Sequence, residues 1–242
     1  MRARDLGVVI GEHPPGPDNA ITDVAGVRVG HTTLQADGRT AVRTGVTVVV
    51  PHDDIWTEPV FAGSHRLNGS GEMTGLDWVR ESGELTTAIG LTNTHSVGVV
   101  RDELVAAQVR ARGEGLYWSL PAVGETYDGL LNDINGFHVR PDHVRAALDH
   151  ATAAPPAEGN VGGGTGMICH GFKGGIGTAS RVTDTATGRY TVGVLVQANH
   201  GRRERLRING VAVGELITGD DIPLPELPDR YEPGSGSIIV VV

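Results

Sequence analysis

Ser237 is the residue whose chemistry is most directly legible in this chain. It follows Gly234-Ser235-Gly236 and precedes Ile238-Ile239-Val240-Val241-Val242. Small residues lead into a β-branched run, and cleavage of the Gly236-Ser237 bond would free an α-amine beside the Ser237 hydroxyl. An N-terminal amine can act as the base for its own residue's nucleophile. Read alone, the stretch is better taken as a turn before an ordinary strand, since Gly and Ser punctuate strands. Three polar clusters could complete such a site. They are Leu91-Thr92-Asn93-Thr94-His95-Ser96, Gly124-Glu125-Thr126-Tyr127-Asp128-Gly129 (followed by Leu131-Asn132-Asp133), and Gln197-Ala198-Asn199-His200-Gly201. Carboxamides at strand ends can donate to a developing oxyanion. Each cluster alone also reads as turn chemistry. Together with Gly236-Ser237 they are the components of acyl transfer.

Other chemistries find less support. Gly-x-Ser-x-Gly and His-Glu-x-x-His are absent, and the ten histidines show no metal-ligand spacing, so no metal and no cofactor is expected. His52-Asp53-Asp54 beside Pro51 reads as a solvated turn. The run Gly162-Gly163-Gly164-Thr165-Gly166 lacks the Gly-Lys-Ser/Thr of a phosphate loop, and Gly-x-Gly-x-x-Gly does not fit it. A place where backbone approaches backbone or substrate closely is the better reading. Cys169, the one cysteine, precludes an intrachain disulfide, and its neighbours Met167 and Ile168 suggest a buried, inert thiol.

The elements that must position these residues are short and β-rich. Strands are expected at 27–31, 45–50, 86–91, 167–172, 177–183 and 189–197, with a hairpin turn at Asp184–Gly188. Val97, Val100, Leu104 and Val105 recur at helical spacing, which predicts a helix over 97–112 with Ser96 as N-cap. Pro141 opens a second helix, Ala153-Ala154-Pro155-Pro156 is a linker, and 223–228 is an extended loop. Aromatics are only 4% of the chain and apolar residues 39%, so the core must be mostly Val, Leu, Ile and Ala. The net charge of −9 argues against a nucleic-acid backbone as partner. Without a signal-like N-terminus or an apolar run near ~20 residues, a cytoplasmic protein with no membrane partner is the expectation. One domain over 1–242 is expected. Five terminal Ile and Val residues suggest one piece of a longer product, since such a strand must pair inside a sheet.

Longer segments resemble a known family. Met1–Gly7 with Asn19–Val24, Thr92-Asn93-Thr94, Gly124–Gly129, Gly159–Met167, Phe172–Thr178, Gln197-Ala198-Asn199 and Gly236–Val240 are similar to the DmpA-type aminopeptidases. That group includes the L-aminopeptidase/D-amidase/D-esterase enzymes and the β-peptidyl aminopeptidases. The resemblance spans nearly the whole chain. It implies an α/β fold, a four-layer αββα sandwich with Ntn-hydrolase-like layout, and a precursor that cuts itself at Gly236-Ser237. Residues 1–236 would form the α segment and 237–242 the start of β.

By that resemblance Ser237 is the nucleophile, Tyr127 the active-site tyrosine and Asn199 the oxyanion-hole asparagine, with Asn209 as a fallback. Glu125, Asp128 and Asn93 are candidates for binding the substrate, a small peptide, amide or ester. A complementary β segment, supplying a second Ser and a Glu, and a homo-oligomer of αβ units are the expected partners. Two alternatives remain open. One is an acyltransferase of the ornithine-acetyltransferase type, which favours Thr as nucleophile. The other is a non-catalytic scaffold of the same fold.

Overall fold

The computed structural model describes residues 2–226 and 236–242. Its strands are β1 (Arg28–Ala36), β2 (Val42–Val50), β3 (Val60–Phe61), β4 (Glu84–Leu85), β5 (Ile89–Asn93), β6 (Ala122–Thr126), β7 (Ile168–Cys169), β8 (Phe172–Lys173), β9 (Gly175–Thr185), β10 (Gly188–Asn199) and β11 (Ser237–Val241). The helices are α1 (Leu76–Ser82), α2 (Val97–Arg112), α3 (Pro141–Asp149) and the one-turn α4 (Val213–Leu216). Two sheets organise the molecule. One has the order β1-β2-β5-β6 and the other β11-β10-β9.

Strand β2 shows how the residues choose these layers. Val46, Val48 and Val50 pack with Val97, Val100 and Leu104 of α2 and Val144 and Ala147 of α3. Val49 faces the other way, into a second core with Leu91, Ile176, Leu195 and Val241. A strand covered on both faces needs a continuous apolar run rather than an alternating one, which is what Val46-Thr47-Val48-Val49-Val50 supplies. Strands β5 and β6 pair in parallel, so a crossover must join them, and α2 is that crossover. The outer face of the second sheet carries Val192, Ile238 and Val240 at 44%, 40% and 50% exposure. The described residues thus build helix, sheet and sheet, and leave open the face where a fourth layer packs in an αββα sandwich.

The glycine run threads between the sheets. A Cβ on Gly163 would lie 2.3 Å from Gln197 Oε1 and 2.6 Å from the Leu91 carbonyl, and one on Gly164 2.6 Å from the Ile176 amide nitrogen. Backbone on both sides leaves no room for a side chain. The amides of Gly162 and Gly163 donate to Thr33 Oγ1 (2.8 Å) and Thr47 Oγ1 (3.1 Å). They are therefore committed within the fold rather than offered to a phosphate, and the close-approach reading holds.

Beside this turn, His31 Nδ1 shares a 2.9 Å hydrogen bond with Thr47 Oγ1. Burial lowers its pKa from 6.5 to about 4. Between those values the unfolded chain binds the proton and the folded chain does not, so stability rises with pH across the window and is lost as pH falls through it. The contribution is at most about 3 kcal/mol, from about 1.36 kcal/mol per unit. We expect His31→Gln to flatten this part of the stability–pH curve. Urea midpoints for both proteins from pH 4 to 6.5 would check it, and parallel curves would refute it.

Several sequence expectations need correction. Residues 122–126 form strand β6, so Glu125 sits in a buried strand and not in a turn. The stretch 167–172 is the small hairpin β7–β8 instead of one strand, because His170 (φ +51°) and Gly171 (φ +72°) turn the chain back. Ser96 stands at the N-cap position of α2 but makes no capping bond, since a 3-10 turn over Thr94–Ser96 already leads into the helix. Gly234, Ser235, Leu227 and Pro228 lie outside the described residues. Among those described, no helix is long and apolar enough to cross a membrane.

Candidate active site

Ser237 is the first residue of β11, an edge strand antiparallel to β10 and in register with it as Ser237↔Asn199, Ile239↔Gln197 and Val241↔Leu195. With side chains alternating between faces, Ser237 shares the inward face with Ile239 and Val241. The register is held from within. A Cβ on Gly124 of β6 would stand 3.0 Å from Ile239 Cδ1, so the bare glycine makes the seat for Ile239. A one-residue slip would put Ile238 in that seat and turn Ser237 outward.

At the open end of the two sheets, two donors converge on Ser237 Oγ. The Tyr127 amide N–H reaches it at 3.2 Å and Asn199 Nδ2 at 3.4 Å. Asn199 is buried, and its Oδ1 accepts from the Ile168 amide at 2.9 Å, which fixes the carboxamide with its NH₂ toward the serine. Gln197, two residues back and fully buried, ties the sheets together by donating to the Thr92 carbonyl (3.0 Å) and Thr126 Oγ1 (2.7 Å). Gly236 packs against the strand end. A Cβ there would lie 2.7 Å from His200 Cα and 3.0 Å from the Asn199 carbonyl oxygen, so close approach accounts for glycine before the serine.

The other candidates fall into place around this pair. Tyr127 meets Ser237 through its main chain. Its half-exposed ring folds over Gly129, where a Cβ would stand 2.4 Å from the phenol oxygen, and the phenol makes no hydrogen bond among the described residues. Asn209 sits exposed in a turn at φ +47°, bracketed by the Ile208↔Val211 bridge, so Asn199 is the asparagine at the serine. Glu125 is buried, accepting from Thr94 Oγ1 (2.5 Å) and the Glu72 amide (3.1 Å). Asp128 is fully buried beside Asn132 Nδ2 (3.1 Å), and desolvation raises its pKa despite hydrogen bonds from Thr44, Asn132 and Asn93. Asn93, also buried, donates to Thr44 Oγ1 at 2.7 Å. Asp128 and Asn93 thus brace the loop after β6, since neither presents surface to a substrate. The Ile168 amide is a positioning group that sequence reasoning missed, since a backbone donor leaves no residue-type signal. Gln197, singled out as a strand-end carboxamide, ties the sheets together instead of facing the serine.

Two packed sheets with a serine at the head of an edge strand define the Ntn-like class of fold. The chain belongs to the peptidase family S58, whose model matches residues 19–242. It is 50% identical to the beta-peptidyl aminopeptidase BapA of Sphingosinicella microcystinivorans, across all of this chain and 64% of that protein. Among solved structures, a Burkholderia sp. beta-aminopeptidase superposes with a TM-score of 0.88 at 56% identity, over 99% of this chain and 65% of that one. The L-aminopeptidase D-Ala-esterase/amidase of Ochrobactrum anthropi, described as a variant of the Ntn hydrolase fold, superposes at 0.83 with 47% identity, over 89% of this chain and 62% of that one. The chain therefore spans just under two thirds of the length of these relatives.

Proposed function

We propose that this chain, within its full-length polypeptide, forms the α segment and the start of the β segment of a self-processing serine aminopeptidase/amidase. Its substrates are small peptides, amides or esters with a free amino terminus. The observation that carries the reading is the convergence of Asn199 Nδ2 and the Tyr127 N–H on Ser237 Oγ, directly after a glycine packed on His200.

In processing, Ser237 Oγ attacks the Gly236 carbonyl carbon. The C–N bond breaks, the nitrogen takes the hydroxyl proton, and an ester joins Gly236 to Ser237 Oγ. Water hydrolyses that ester, which leaves a Gly236 carboxylate and a free Ser237 amine. In turnover the amine, with an ordinary pKa of about 7.7–8.0, takes the Oγ proton as the oxygen attacks the substrate carbonyl. Asn199 Nδ2 and the Tyr127 N–H lie where they can donate to the oxyanion that forms beside Oγ. The departing amine takes the proton back, and water releases the acyl group.

Of the two carboxylates among the substrate-binding candidates, Glu125 is the better partner for a substrate ammonium. It lies under the exposed loop 68–72, with Oε1 3.2 Å from where a Gly71 Cβ would stand, while Asp128 is sealed and its charged form is disfavoured. A complementary β segment completes the second sheet beyond β11 in this reading.

N-terminal sequencing and intact mass of the full reading-frame product test the proposal. A fragment beginning Ser-Ile-Ile-Val is expected. A single uncut chain, stable on incubation, would overturn it.

A further inference from the structure

The turn of the β7–β8 hairpin and the end of β10 bring the adjacent Cys169 and His170 onto His200, and the chemistry above uses none of these side chains. Cys169 Sγ stands 3.9 Å from His200 Nδ1, and the donor atoms of Cys169, His170 and His200 all lie within 4.8 Å of one another. We propose that Cys169, His170 and His200 form a site for a borderline-soft divalent cation of the zinc class, with water in the remaining coordination position.

The donor set suits that ion. One thiolate and two imidazoles match zinc better than calcium or magnesium, which take oxygen. Tetrahedral coordination with Zn–S of about 2.3 Å and Zn–N of about 2.0–2.1 Å separates sulfur from nitrogen by about 3.5 Å. The observed 3.9 Å therefore needs only a small contraction. All three side chains are half-buried, which leaves an approach for the ion and for water.

The supporting groups are built in as well. His170 Nδ1 bonds the Arg202 carbonyl at 2.9 Å, leaving Nε2 for a metal, which is the outer hydrogen bond that ligating histidines characteristically make. The His170 amide donates to the His200 carbonyl at 2.8 Å, so the two backbones are already clamped. Gly201 is cut away beneath the His170 ring, where a Cβ would stand 2.4 Å from Cε1. The neighbouring cation, Arg203, is turned to the carbonyls of Gly171 and Ile222 and to the face of the Phe172 ring.

Binding exchanges one proton for the metal, since the Cys169 S–H proton leaves to solvent as the metal–sulfur bond forms and both imidazoles bind neutral. The site also adjoins the serine. Ile168, which holds Asn199, precedes Cys169, and His200 follows Asn199. An ion there would brace the carboxamide from both sides.

Cys169 is the single thiol of this chain, so the test reads it directly, on the full-length polypeptide with any other cysteine replaced by serine. Cobalt(II) is expected to bind with one equivalent per chain and a sulfur-to-metal charge-transfer band that is missing in Cys169→Ser. Zinc is expected to slow alkylation of Cys169 by iodoacetamide about tenfold or more, and His170→Asn or His200→Asn to raise the zinc concentration needed for that protection by about 10–100-fold. Should Cys169→Ser fail to fold, the protection assay on the native thiol and the His200→Asn variant decides alone. A cobalt complex without the sulfur band, or protection unchanged in the His170→Asn/His200→Asn double variant, would overturn the site. Neither readout depends on Ser237 being a nucleophile.

Discussion

Ser237→Ala in the full-length polypeptide is expected to leave the Gly236-Ser237 bond uncut and to abolish turnover. Loss of an activated serine nucleophile lowers kcat by on the order of 10⁶. Two separate events fail for one reason. In the proposed mechanism the hydroxyl attacks Gly236 during processing, and the same oxygen attacks substrate afterwards. The substitution should be structurally quiet. Ser237 is half-buried, and its hydroxyl only accepts two long contacts, 3.2 Å from the Tyr127 amide and 3.4 Å from Asn199. The pairing of β11 with β10 uses main chain and the inward residues Ile239 and Val241, which the substitution leaves alone. Mass spectrometry of the variant should therefore find one intact, folded chain. Efficient cleavage of the variant at this bond would remove Ser237 from the mechanism.

Asn199→Ala carries the second largest effect, a fall in kcat of about 10²–10³ with little change in KM, the usual range for one oxyanion donor. The asparagine does two things that can be separated. Its Nδ2 faces Ser237 Oγ, and its Oδ1 holds the Ile168 amide. Asn199→Asp keeps the acceptor for Ile168 and replaces the donor by a carboxylate oxygen. If donation is what matters, the Asp variant should be as slow as the Ala variant while keeping the stability that Ala loses. Recovery of activity in Asn199→Asp would mean that the side chain serves only to position β7. A raised KM at unchanged kcat would move Asn199 from the reaction to substrate binding.

Helix α2 and the strands of the β9–β10 hairpin are legible in the chain because their signals are local. Val97, Val100 and Leu104 recur within one helical face, and Asp184–Gly188 carries its turn chemistry within five residues. Strand β6 was not legible, because Ala122-Val123-Gly124-Glu125-Thr126 mixes a glycine and a buried carboxylate into a run that looks like a loop. Its glycine is explained only by Ile239, which comes 115 residues later and needs the space. Helix α1 was missed because its seven residues show barely two turns of pattern between flanking glycines.

Residue order alone showed small residues leading into a β-branched run at Gly236-Ser237, and the family resemblance of neighbouring segments supplied Asn199 and Tyr127 as candidates for the serine's partners. Which atom each neighbour offers was settled by the fold. Tyr127 brings its amide across 110 residues and Asn199 its carboxamide across 38, both through the register of β11 on β10 and the packing of one sheet on the other. The same packing gathers Cys169 and His170 onto His200, three donors that lack any telling spacing along the chain. Local pattern reports which residue types turn and pair. It is silent on which pairs meet, because those contacts arise from burying two sheet faces against each other, and that apolar driving force has no direction until the whole core closes.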